Sequence, residues 1–145
     1  MDTKEILEYM KFYPDFLGVF PLDHIPETHR RPCSMIINTD VCTEPGTHWV
    51  ALYLSKDGSG EYFDSFGLPP LLPSFWYYLS KACPKGFTHN SIVLQDINAT
   101  TCGLYAIVYL KLRHKGFSSF DIISAFSRNT LQNEKRLHTW DILRL

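Results

Sequence analysis

Apolar residues at Ile6, Leu7, Met10 and Tyr13 recur at the spacing of one helix face, which predicts a short amphipathic helix with Asp2 or Thr3 as its cap and Pro14 closing it. From 16 to 33 the periodicity is lost among Gly18, Pro21, Pro26 and Pro32, and the segment reads as irregular. SMIINT (34–39) then reads as a buried strand. HWVALYLS (48–55) and EYFDSF (61–66) flank the turn-rich KDGSG, a hairpin signal, and SIVLQD (91–96) reads as a further strand. LLPSFWYYLSKAC predicts a helix capped near Ser74, and helices follow over 102–114, about 118–127 and about 130–144. Helices and strands are only partly segregated, so the pattern predicts an α+β architecture. No internal repeat, low-complexity tract or linker divides the chain, and residues 1–145 read as one domain.

Composition adds limits rather than detail. The 145 residues are 45% apolar, 14% aromatic and 20% charged, a globular balance in a chain long enough to bury its own core. The four cysteines, Cys33, Cys42, Cys83 and Cys102, are too few and too widely spaced for a secreted disulfide framework. No basic flank with an apolar run opens the chain and no stretch of 18 apolar residues occurs, so neither signal peptide nor membrane span is expected and the expected setting is intracellular. The net charge of −1 hides a gradient: residues 1–70 carry five Lys/Arg against eleven Asp/Glu, residues 111–145 seven against three. The basic C-terminal segment is a candidate face for nucleic acid, and solvated helix surface is the plainer reading of the same bias.

Chemistry gathers around LQDINATTCGLYAIVYL (94–110), where an apolar helix begins at a cysteine. Unpaired N–H groups and the positive dipole end at a helix start favour a thiolate, the reactive form of cysteine. Thr100 or Thr101 is the expected cap, and Gly103 leaves the backbone room beside the sulfur. A buried cysteine at such a place is more often simple packing, so the case depends on partners: a base, a group to orient it, and donors for an oxyanion. His48 opens the strand HWVALYL and is a candidate base. Asp64 ends the second arm of the hairpin, beside the start of the first arm if the turn centres on Lys56. A tight two-residue turn at Asp57-Gly58 would instead set 48 opposite 67 and point the two side chains to opposite faces. The pairing therefore requires a longer loop or a bulge. Gln95, seven residues before Cys102, offers a side-chain amide that can converge with the Cys102 N–H on one carbonyl oxygen.

The order His, acid, Gln, Cys, in the forms G-x-HW, FDSFG and Q-x6-CGLY, resembles the adenovirus protease (adenain) group, relatives of the Ulp/SENP-type SUMO proteases. The run FLGVFPLDHIPETHRRPCSMIINTD before GTHWVA is also similar to the start of adenain-type enzymes, so the resemblance covers roughly 16–110. It implies the adenain/Ulp-like fold, a central mixed sheet of about five strands flanked by helices with the nucleophile at the N-terminus of a buried helix. It implies a cysteine endopeptidase with Cys102 as nucleophile, His48 as base and acid, Asp64 orienting His48, and Gln95 with the Cys102 amide holding the oxyanion. Adenain itself carries Glu at the acid position; Asp64 resembles the Ulp-type branch. The resemblance further implies cleavage after small, glycine-containing motifs, in a groove narrowed near the thiol by Trp49 and Gly103.

Adenain-type enzymes come from DNA viruses and Maverick/Polinton elements and mature capsid and core proteins. The implied partners are thus viral structural precursors. The implied location is the nucleus or a cytoplasmic virus factory, with packaging in the virion. No cofactor is required; the family precedent is stimulation by DNA or by a disulfide-linked peptide. No cysteine stands near Ser91, where the peptide link would fall, while the basic C-terminal segment keeps DNA as a candidate activator. Rival readings are a deubiquitinase or SUMO-type isopeptidase using the same four residues, an acyltransferase with the same thiol chemistry, and a catalytically silent scaffold domain. A zinc site would have only Cys33, Cys42, His48 and Cys83 to draw on, with no CxxC or HxxxH pair among them, and no metal is expected.

Overall fold

A computed structural model describes residues 1–39 and 48–139. Five strands form one sheet in the order β1-β2-β3-β4-β5: β1 Phe16–Pro21, β2 Cys33–Asn38, β3 Trp49–Leu54, β4 Gly60–Phe63 and β5 Phe87–His89. The outer pairs, β1 with β2 and β4 with β5, are parallel, and the two inner pairs are antiparallel, so the sheet is mixed. The helices are α1 Thr3–Met10, α2 Pro73–Ala82, α3 Cys102–His114, α4 Ser119–Ser124 and α5 Thr130–Thr139. None of the described helices is long and apolar enough to cross a membrane.

Every residue of β3 is buried because both faces of the sheet are covered. Trp49, Ala51 and Tyr53, with Ile36 and Phe63, pack with α3 and with Ile6 and Met10 of α1. Val50, Leu52 and Leu54, with Cys33, Met35, Ile37 and Tyr62, pack on Phe75 and Leu79 of α2. Sandwiched this way, α3 is buried almost all round from Cys102 to Lys111. Of the expected face of α1, Ile6 and Met10 are buried, whereas Leu7 is 44% exposed and Tyr13 lies beyond the helix, which ends at Met10 ahead of Pro14. It opens as expected, with a capping box in which Asp2 accepts from the Glu5 N–H and Glu5 accepts from the Asp2 N–H.

Four expectations are corrected. The segment read as irregular contains β1, an edge strand where Pro21 needs no ladder N–H and a register shift lies between Phe16 and Gly18. SIVLQD (91–96) is not a strand. The last strand is β5, and beyond it the Asn90 side chain replaces a neighbouring backbone, its Oδ1 accepting from the Asp64 N–H and its Nδ2 donating to the Asp64 carbonyl. That amide ends the ladder, and the chain leaves the sheet. Leu72, not Ser74, occupies the cap of α2, with Pro73 at the first helical position, where its missing N–H and fixed φ cost nothing. The helix expected over about 118–127 runs only from Ser119 to Ser124, capped by Ser118, whose hydroxyl accepts from the Asp121 N–H. The helix expected to reach 144 is described from Thr130 to Thr139, and its remainder lies outside the described residues, as does Cys42.

Candidate active site

The hairpin decides whether His48 and Asp64 can meet. Its loop runs 55–59, closed by the Ser55 N–H donating to the Ser59 carbonyl, with Ser59 N–H and hydroxyl both donating to Asp57 Oδ1. Arg31 donates to the Ser55 and Ser59 carbonyls and pins the loop from outside. The resulting register pairs Leu54 with Gly60 and Ala51 with Phe63. Extended past the ladder, it sets 48 opposite 66 rather than 64. The expected direct pairing of 48 and 64 is therefore two residues out, because the loop centres on Asp57 and not on Lys56. The shift is even, so the two positions keep the same facing and meet on the diagonal. His48 Nε2 lies 3.1 Å from Asp64 Oδ2, within ion-pair distance though off the line of a straight N–H···O bond. Its ring stacks on Phe66, centroids 5.5 Å apart and planes at 27°.

Cys102 lies close enough to the His48 ring to favour its charged form. Burial opposes the charged ring, but the Asp64 carboxylate and Cys102 outweigh it and push the His48 pKa up to about 10. Cys102 is 6% exposed at the first residue of α3, and its sulfur also accepts the Trp49 N–H at 3.5 Å. The helix begins there without a side-chain cap. Thr101 stands at the cap position, but its hydroxyl donates to Glu134 Oε1 at 2.6 Å instead of serving the helix. The expected threonine cap is thus corrected: the first N–H groups of α3 have no side-chain cap at the Cys102 end. A Cβ at Gly103 would stand 2.9 Å from Met1 Sδ and 3.2 Å from Trp49 Cδ1, so a larger residue there would press on both side chains. Trp49 itself is 5% exposed and backs the sulfur as part of the core.

Gln95 is 1% exposed and held at both ends of its amide. Oε1 accepts from the Ser65 hydroxyl at 2.6 Å and Nε2 donates to the Ala99 carbonyl at 2.8 Å, which uses one of its two N–H bonds. Ser65 also takes the Leu94 and Gln95 N–H groups on its carbonyl. The short turn DSFG thus serves three parts of the site. Asp64 meets the imidazole and is oriented by the Phe66 N–H, Ser65 fixes Gln95, and Phe66 floors the ring. Gly67 completes the turn at φ +69°, with the Ile92 backbone only 2.9 Å from where a Cβ would stand.

His48, Asp64 and Cys102 therefore come together. Asn90 and Ser65 are supports that sequence reasoning missed; Ser65 lay inside the FDSFG form, and nothing marked Asn90 in advance. A cleft of about 620 Å³ opens beside the start of α3, between Thr100, Thr101 and Leu104 and the α1 residues Lys4, Glu8 and Tyr9. Among the described residues no cluster of three or more His, Cys, Asp or Glu is arranged to hold a metal. Of the basic C-terminal residues, Lys111 is buried beneath the Tyr9 and Tyr13 rings and Arg113 is paired with Glu61.

No family model matches the chain. A cysteine protease of African swine fever virus, from a Tick/Malawi isolate, is 32% identical over 123 residues, 76% of this chain. A SUMO-1 cysteine protease from the Pretoriuskop isolate of that virus is 33% identical over 109 residues, 66% of this chain. The chain is a homologue of the adenain/Ulp-like viral cysteine proteases. This homologue spans 44% and 40% of the length of those two relatives. The crystal structure of the African swine fever virus protease superposes with a TM-score of 0.56 and 25% identity, over 76% of this chain and 45% of that one. The central domain of an uncharacterised Legionella pneumophila protein shares the fold at a TM-score of 0.53 and 16% identity, over 100% of this chain and 98% of that domain. The adenain/Ulp-like α+β fold expected from the motifs is the fold of this homologue.

Proposed function

We propose that the chain is a cysteine endopeptidase that cuts after small, glycine-containing motifs in viral structural precursors. The observation that carries this is the grouping at the start of α3: His48 Nε2 stands 3.1 Å from the buried Asp64 carboxylate, and Asp64 and Cys102 together favour the charged imidazole. With His48 held as imidazolium, Cys102 attacks as thiolate, forming the S–C bond while the carbonyl oxygen takes the negative charge. The Cys102 N–H and the second N–H of Gln95 receive that oxyanion, in keeping with the uncapped helix start and the clamped amide. His48 gives its proton to the departing amine, then takes one from the water that hydrolyses the thioester. The cleft beside Thr100 and Thr101 is the substrate's approach to the start of α3.

A SUMO-type isopeptidase is the second reading, favoured by the relatives named SUMO-1 cysteine proteases. The experiment incubates purified chain with a peptide library and with Gly-Gly-linked SUMO conjugates, with and without DNA, beside a Cys102→Ala control. The account expects cuts following glycine in the library and none by the control. Cleavage confined to SUMO conjugates supports the second reading; equal cleavage by the control removes the thiol from the chemistry.

A further inference from the structure

Of the two donors assigned to the oxyanion, the Gln95 amide lies on a stretch with no regular structure, 91–101, and the Cys102 N–H directly follows it at the start of α3. The side chains of α5 hold this stretch at several points. Asn133, fully buried, donates through Nδ2 to the Leu94 carbonyl at 3.0 Å. Thr130 donates to Asp96 Oδ1 at 3.2 Å. Glu134 accepts the Asp96 N–H on Oε2 at 3.3 Å, the Tyr105 hydroxyl on Oε2 at 2.5 Å and the Thr101 hydroxyl on Oε1 at 2.6 Å. The residues on each side of Gln95, the residue before Cys102 and the first turn of α3 are therefore bound to the first turns of one helix, 29 to 39 positions later in sequence. Glu134 spans the two donors, with Asp96 and Tyr105 on Oε2 and Thr101 on Oε1, and the Tyr105 hydroxyl adds a second link by also donating to the Leu94 carbonyl at 3.2 Å.

We propose that Glu134 is a positioning residue that sets the spacing between the Gln95 amide and the Cys102 N–H, and so the oxyanion hole. It touches neither thiol nor imidazole in any contact above. This rests on the thiol-acyl reading of the site, and it predicts a specific split. Reactions at Cys102 that pass through an oxyanion depend on Glu134, whereas simple displacement by the same sulfur does not.

The test compares two probes on the full chain. p-Nitrophenyl acetate acylates the thiolate through a tetrahedral oxyanion and releases p-nitrophenolate; iodoacetamide alkylates it by displacing iodide with no oxyanion. Glu134→Ala is expected to lower ester turnover about 10- to 100-fold, in kcat more than KM, as loss of an oxyanion donor does, while alkylation at Cys102 stays within about threefold. Glu134→Gln, which keeps an acceptor for one side, and Thr101→Val, which cuts the other link, are expected to fall between. If Glu134→Ala fails to fold by thermal melt, these two variants carry the test. Ester turnover within about twofold of wild type in the folded variants, or alkylation lost in parallel with it, overturns the proposal. A wild type that cleaves the ester and no peptide refutes the protease reading while leaving this one standing.

Discussion

At the residue scale, Asp64 is the hinge of the account. Its carboxylate is buried, receives the Phe66 N–H and faces His48, while Asn90 fixes its backbone from both sides. The imidazole's raised pKa follows: burial alone would discharge the ring, and the carboxylate with Cys102 reverses that. Because the folded value exceeds the ordinary histidine value of 6.5, the pairing stabilises the fold fully below that pH and its contribution fades as pH rises through about 10. The kcat/KM profile should therefore hold on the alkaline side until His48 loses its proton near pH 10. Asp64→Asn should draw that limb toward neutrality and lower the plateau, measured as peptide hydrolysis from pH 5 to 11. A limb unmoved in the variant would separate the aspartate from the imidazole. The other described thiols do not share this environment: burial pushes Cys33 up to about 11 and also raises Cys83.

At the scale of elements, the site is held by pieces whose side chains stand in for backbone. The Asn90 amide closes the sheet beside Asp64, and the α5 side chains hold the strandless segment 91–101. Asn90→Ala would strip a donor and an acceptor from the Asp64 backbone and should cost about 1–3 kcal/mol in chemical unfolding, with a fall in peptide turnover beyond the loss of folded protein. Turnover per folded molecule equal to wild type would show the clamp to be structural only. The same substitution of side chain for backbone explains what the sequence hid. SIVLQD has the apolar composition of a strand, but Ser65 takes the N–H groups of both Leu94 and Gln95 on one carbonyl, which no ladder does. β1 was masked by Gly18 and Pro21, whose punctuation is tolerable only on a sheet edge, and the edge is a property of the assembled sheet. The start of α1 and the extent of α3 were legible because the capping residues of the one and the apolar run of the other each lie within one window of chain.

Over the whole molecule, a sheet buried on both faces makes the site rigid. β3 carries Trp49 toward α3 and Val50 toward α2, so the strand that ends at His48 cannot shift without disturbing two cores. The α+β class and the meeting of His48, Asp64 and Cys102 were readable from chain order and motif, since each of these residues stands at the end of an element or in a quoted form. Their supports were not, because Ser65, Asn90, Asn133 and Glu134 act across distances that no local pattern records. The central claim is that these separate stretches assemble one thiol able to take an acyl group. The direct measurement is the intact mass of the chain, followed by peptide mapping, within seconds of mixing with the p-nitrophenyl ester of N-acetyl-glycyl-glycine. The account predicts one acetyl-glycyl-glycyl addition, carried on Cys102 and absent from His48→Ala. An unmodified chain, or an acyl group on Cys33 or Cys83 with Cys102 left free, would contradict it.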